Sequence, residues 1–202
     1  MRGFFYLCRM NYLSVNGISK SFGIKTLFDN VTFGIEKGDK TALIAANGSG
    51  KSTMLKILVG KESPDTGTIV YANDLKVGYL EQLPVYPVGS TIADLLEDLS
   101  DEQHLKARQF LSRFELQDLT QCVDTLSGGQ VKRLALALVL LHEPDFLIMD
   151  EPTNHLDVEM VEWLEKYLTQ STMTLLMVTH DRYFLDRVCN KIFELYQGVM
   201  YT

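Results

Sequence analysis

Residues Ala45–Thr53 read AANGSGKST and follow directly on Thr41–Ala45, a short, nearly continuous apolar run. Such a run predicts a parallel strand covered on both faces. Gly48 and Gly50 let backbone N–H groups approach an anion without Cβ obstruction. Lys51 and Ser52 stand where the pattern G-x-x-x-x-G-K-[ST] puts a lysine for β- and γ-phosphates and a hydroxyl for Mg²⁺. Ser52–Leu58, with Met54, Leu55 and Leu58 on one side, predicts a helix whose first N–H groups also favour an anion. Asn47, Gly48, Ser49, Gly50, Lys51, Ser52 and Thr53 are therefore the candidate polyphosphate cradle. A glycine-rich turn without a ligand is the plainer reading, but it leaves the Lys51-Ser52 pair without a reason. The pattern expects glycine at position 45, where this chain has alanine. If that position needs positive φ, Ala45 costs on the order of 1–2 kcal/mol and weakens binding without abolishing it.

Three further stretches follow in order: LSGGQ at Leu126–Gln130, FLIMDEP at Phe146–Pro152 and VTHD at Val178–Asp181. Asp150 and Glu151 end an apolar strand, where side chains emerge beside the first strand-to-helix loop. Two adjacent carboxylates divide labour: Asp150 suits the surroundings of a Mg²⁺ ion, and Glu151 suits the general base for an attacking water. The plainer reading is a solvated acidic turn before Pro152. His180 ends another apolar strand, and its functional reading is a γ-phosphate contact; its structural reading is a strand end leading into an Asp181-capped helix. LSGGQ also carries two compatible readings. Ser127-x-x-Gln130 matches a capping box, and the same geometry presents free N–H groups to an anion. His104 and His142 lack such context, and His155 carries no assigned chemistry.

With 202 residues, 46% of them hydrophobic, the chain is long enough for one domain with a substantial core. A net charge of −7 argues against binding nucleic acid by general phosphate attraction, although it permits a local basic patch. Cys8, Cys122 and Cys189 are too scattered for a zinc or disulfide framework and fit a reducing cytoplasm. The apolar part of MRGFFYLCRM is shorter than a secretory core, so residues 1–11 read as an extension, with Met10 the natural start. The run Leu134–Leu141 is far short of the roughly 20 residues a membrane span needs, so no direct membrane insertion is expected.

Tyr12–Phe22 and Thr26–Ile35 read as strands forming an antiparallel start, with the turn Lys37-Gly38-Asp39 after them. Pro64–Gly67 is a turn, and Thr68–Tyr71 and Lys76–Leu80 are short strands. Residues 83–141 change in character: a proline-bearing loop, amphipathic segments at Ile92–Leu99 and Glu102–Phe114, and a helix from Val131 predict a small helical subdomain. Phe146–Met149, a helix around Val158–Leu168 and Thr174–Val178 predict a βαβ crossover and a parallel sheet.

Together these motifs resemble the nucleotide-binding domains of the ABC ATPase superfamily, from Tyr12 onward. The resemblance implies an α/β fold of the ABC-type P-loop NTPase class, with a mostly parallel core sheet, an N-terminal antiparallel β part and a helical subdomain, here shortened. It implies ATP and Mg²⁺ as ligands, residues 12–202 as one cassette, and ATP hydrolysis as the activity. Phe22 corresponds to the aromatic that stacks on adenine, Gln82 to the glutamine near Mg²⁺ and the water, and Asn154–Asp157 to the D-loop. The family further implies that Ser127, Gly128, Gly129 and Gln130 close over ATP held by a second cassette. EPTNHLD at Glu151–Asp157 and HDRYFLD at His180–Asp186 resemble the ABC-F group, whose members carry two fused cassettes and mostly act on ribosomes.

Two departures from that group stand out: the chain ends at Thr202, after what reads as the last strand of a first cassette, and Gln82–Leu126 is short for the helical region. The rival readings are the ATPase subunit of a membrane transporter, against which Asn154 and His155 argue, and a truncated nucleotide-binding fragment with little turnover. Lys51→Ala is expected to remove most ATP affinity, as read by equilibrium nucleotide binding; unchanged affinity would take Lys51 out of the cradle.

Overall fold

The computed structural model describes residues 10–202, which form nine strands and five α-helices. Cys8 and nearly all of the expected extension lie outside the described residues. Strands β1 (Asn11–Phe22), β2 (Lys25–Glu36) and β4 (Thr66–Tyr71) make an antiparallel sheet in the order β2-β1-β4. The second sheet runs β5-β6-β7-β3-β8-β9, built from β5 (Val77–Leu80), β6 (Phe146–Asp150), β7 (Thr174–Val178), β3 (Lys40–Ala45), β8 (Lys191–Tyr196) and β9 (Val199–Tyr201). Every pairing in it is parallel except the last, β8 with β9.

The continuous apolar runs of β6 and β7 have the simple cause expected of them. Phe146, Ile148, Leu176 and Val178 face one core, shared with the antiparallel sheet and helix α1 (Lys51–Leu58). Leu147, Met149, Leu175 and Met177 face the other, shared with α2 (Asp101–Arg113), α3 (Gly128–Leu141), α4 (Val158–Gln170) and α5 (Arg182–Val188). Each strand is thus buried on both sides, as parallel strands require. Burying one such side chain contributes about 1.5–3 kcal/mol, and the central strands carry little else.

The predicted α/β class, parallel core and antiparallel start are present. Ile92–Leu99 differs from its amphipathic helical reading, because it holds only a single 3-10 turn at Asp94–Leu96. The N–H groups of Ile92 and Ala93 donate to the carbonyls of Gln121 and Leu119, so the backbone is tied across to a neighbouring segment. Thr91 and Asp94 exchange side-chain bonds over the same turn, and Ser100 then opens α2 with its own capping box. The apolar residues Ile92 and Leu96 still reach the core, without a helix to carry them.

Gly67 shows how closely β4 meets β1. At φ 90° its ideal Cβ would lie 2.4 Å from the Gly17 carbonyl oxygen, against backbone that cannot yield. Gly60 also has positive φ (76°), but its Cβ would meet nothing within 4 Å. Gly60→Ala is therefore expected to cost only the backbone strain, about 1–2 kcal/mol. Gly67→Ala should cost clearly more, seen as the larger drop in Tm; equal drops would show that the β1–β4 contact is not tight.

Candidate functional site

The glycine-rich loop Ala45–Thr53 leaves the C-terminal end of β3. Gly48 has φ 73° and Gly50, the N-cap of α1, has φ 98°, both conformations that favour glycine. Gly50 is required twice over, because its Cβ would sit 2.9 Å from Cβ of Leu27 on β2. Ala45 does not share this demand. It is the last residue of β3, paired with Leu195, and it is absent from the residues of positive φ. The strain proposed for an alanine at position 45 is therefore not incurred: the loop turns at Gly48 and Gly50, after the strand has ended. The Lys51 ammonium curls back over this turn and donates to the carbonyls of Ala45 at 2.9 Å and Ala46 at 3.1 Å.

The carboxylates leave the end of the neighbouring β6. Asp150 is only 2% exposed, and its Oδ1 is buried without a hydrogen-bond partner among the described residues. Glu151 is 6% exposed and has φ 48°, a left-handed conformation that is rare for a non-glycine residue. Its N–H donates to the Val178 carbonyl at 2.8 Å, holding the turn against the end of β7. Its carboxylate meets His180 twice: the His180 backbone N–H donates to Oε2 at 3.3 Å, and the His180 Nε2 lies 3.3 Å from Oε1. The strained backbone at Glu151 is thus held by its N–H, and its side chain is held by His180.

One cleft collects these groups. Phe22, Asn47, Gly48, Gly50, Lys51, Ser52, Thr53, Gln82, Asp150, Glu151 and His180 all line it. Phe22, at the end of β1, is 54% exposed at its margin, with the Lys20 ammonium 5.2 Å from the ring centre. Ser49 belongs to the loop, but its buried hydroxyl makes no hydrogen bond among the described residues and does not line the cleft. Ser127, Gly128, Gly129 and Gln130 are absent from the lining as well. They open α3 with the predicted capping box, Ser127 Oγ accepting from the Gln130 N–H at 3.3 Å and Gln130 Oε1 from the Ser127 N–H at 2.9 Å. A Cβ on Gly129 would meet the His155 carbonyl at 2.8 Å, so the start of α3 packs directly on the Asn154–Asp157 segment.

Sequence reasoning missed two cations. Lys25 lines the cleft, and its ammonium donates to the Gly48 carbonyl at 3.1 Å; only the pairing of β1 with β2 brings it there. Lys132 is buried beneath the ends of β5 and β6, and burial lowers its ammonium to about 8 against the opposing pull of Asp150 and Glu151. Its helical phase was a usable signal, since it shares a face with the buried Ala135 and Leu136 at i+3 and i+4.

No group of three His, Cys, Asp or Glu side chains among the described residues is placed to hold a metal. Mg²⁺ seldom needs such a cage, since it is typically bound by one or two protein oxygens together with substrate phosphates and water. Ser52 and Asp150 line the same cleft, and an Asp150 oxygen has no partner among the described residues, so the residues suit Mg²⁺ brought in with a nucleotide. The family profile described as ABC transporter matches residues 28–154. The chain belongs to the ABC ATPase family. The cassette is 39% identical to YfmR, an ABC transporter ATP-binding protein of Bacillus subtilis, over 96% of this chain and 37% of that protein. It is 34% identical to ABC transporter F family member 2 of Arabidopsis thaliana, over 93% of this chain and 35% of the relative. These relatives include the ABC-F group that the Glu151–Asp157 segment resembles, and the cassette spans little more than a third of their length. Its fold is also that of a solved ATP-binding subunit of an ABC transporter, with a TM-score of 0.85 at 24% identity over 95% of this chain and 88% of that one.

Because Ala45 is an ordinary strand residue, Ala45→Gly is expected to leave ATP affinity within about twofold of the parent and to lower Tm slightly, since glycine weakens a strand. A large gain in affinity would restore position 45 as a defect of the loop.

Proposed function

We propose that the cassette binds ATP with Mg²⁺ and hydrolyses it when a second cassette closes over the same nucleotide. The observation that carries this is the convergence of Lys51, Ser52, Gln82, Asp150, Glu151 and His180 on one cleft, from four separate strand ends. Lys51, the N–H groups of the Asn47–Thr53 loop and the start of α1 hold the β- and γ-phosphates. Phe22 offers its exposed ring to adenine. Ser52, Gln82 and Asp150 would hold Mg²⁺, which when bound would neutralise charge on the transferring phosphoryl group. Glu151 takes a proton from the attacking water, and His180 orients that carboxylate and meets the γ-phosphate.

The arrangement of Ser127–Gln130 supports action across two cassettes. These residues are exposed or half-buried, stand apart from the cleft and present the start of a well-capped helix, so they are free to meet ATP bound elsewhere. The partner is a second copy or a second cassette of a longer chain. Residues 83–141 serve as the helical part that carries this signature. Kinship with the ABC-F group points to the ribosome as the macromolecule moved by closure and reopening, in the cytoplasm. Among the described residues no helix is long and apolar enough to cross a membrane, so a transporter role requires separate membrane-spanning chains.

Glu151→Gln tests both parts of the proposal. Hydrolysis should fall by about 10²–10⁴-fold, the usual worth of a positioned base, while ATP affinity is retained. Light scattering on the same variant should show the mass doubling only with Mg-ATP. Undiminished hydrolysis removes Glu151 from the chemistry, and a monomer that still binds ATP excludes pairing between copies of this chain.

A further inference from the structure

Helix α3 begins with Ser127–Gln130 and, one turn later, sends a lysine into the interior. Lys132 is 2% exposed, and its ammonium donates to the Glu81 carbonyl at 2.8 Å, the Asp150 carbonyl at 3.1 Å and, more weakly, the Gln82 carbonyl at 3.4 Å. These carbonyls belong to two neighbouring chain segments, one just past the end of β5 and the other at the last residue of β6. The side chains of Gln82 and Asp150 rise from the same residues into the cleft, and Glu151 follows through the next peptide bond. Packing does not explain a cation at this point. The neighbouring positions on the same face are Ala135 and Leu136, and an apolar side chain of similar length would fill the space without the cost of desolvating an ammonium.

We propose that Lys132 is a positioning residue, whose ammonium ties the Glu81–Gln82 turn to the end of β6 and thereby sets Gln82 and Asp150 at the spacing that the Mg²⁺ of a bound nucleotide requires. Its bonds go to backbone rather than to side chains, so Gln82 and Asp150 keep their own polar atoms for the cleft. The clamp lies beneath the Mg²⁺ side of the cleft, whereas the phosphate loop is held separately by Gly48, Gly50 and the carbonyls around Lys51. Losing the clamp should therefore affect Mg²⁺-dependent binding and spare the part of ATP affinity that needs no metal. Lys132 also sits on the helix whose next residue, Arg133, reaches Glu115 at 3.0 Å and Asp157 at 3.6 Å, so α3 is also tied to the segment that follows the carboxylates.

The inference rests on the ATP reading above, and equilibrium binding of a fluorescent ATP analogue, in EDTA and in Mg²⁺, separates the two. Lys132→Met should bind the analogue in EDTA within about twofold of the parent chain but lose at least threefold of the affinity gained from Mg²⁺. Gln82→Ala should show the same pattern, and the double variant little more than either single one, since residues acting as one unit are not additive. Circular dichroism establishes that each variant is folded; if Lys132→Met is not, Lys132→Gln is read in its place with the same expectation. A parent chain that does not bind the analogue overturns the ATP reading itself. A parent that binds, with a variant that keeps the whole Mg²⁺ gain, overturns the clamp. Equal weakening in EDTA and in Mg²⁺ also overturns it, because Lys132 would then be acting through packing alone.

Discussion

Five strands run parallel through a sheet whose strands β6 and β7 are covered on both faces, and that constraint governs where chemistry can stand in this molecule. Alternate residues of β6 and β7 serve different cores, so no position before the last residue of either strand is left for a charged side chain. Polar groups are displaced to the strand ends, and parallel strands bring their C-terminal ends to one edge. The loop after β3, Gln82 after β5, Asp150 and Glu151 at β6 and His180 after β7 therefore meet, although they are far apart in sequence.

At that edge the structure holds several features that a core would ordinarily reject. Glu151 has left-handed backbone, an Asp150 oxygen is buried without a hydrogen-bond partner, and a lysine is buried beneath both. Each is unfavourable on its own, by about 1–3 kcal/mol for the strained backbone. They persist because the flanking strands over-determine the local geometry: the Glu151 N–H is bonded across to Val178, and the Lys132 ammonium finds carbonyls on two segments. Such concentrations of strain and buried charge are characteristic of sites whose groups must be held in place before a ligand arrives.

The antiparallel sheet has a different task. Its β1–β2 hairpin hangs over the glycine loop, setting Leu27 against Gly50 and Lys25 against the Gly48 carbonyl, with Phe22 at the margin. The shape of the loop is thus fixed jointly by its own glycines and by side chains from a second sheet. That division also explains why alanine is tolerated at position 45, which lies inside the strand and beyond the reach of the turn.

The sequence alone determined the parallel strands, the glycine loop, the two carboxylates and the capping box of α3, because each is written in a local pattern: continuous apolar runs, glycine before Lys-Ser, acidic residues at a strand end, Ser and Gln three apart. Only the tertiary structure decided the rest. The Ile92–Leu99 segment is amphipathic yet forms a single turn, because its N–H groups bond to carbonyls of the Leu119–Gln121 segment. Ala45 departs from a motif and carries no strain, since φ at that residue is set by its pairing with Leu195. The partners of Lys25 and Lys132 are not written locally either, since strand pairing and helix packing bring these lysines to backbone carbonyls from distant parts of the chain. Propensity and periodicity are properties of neighbours in sequence, whereas the partner of a buried charge is chosen by which elements pack together.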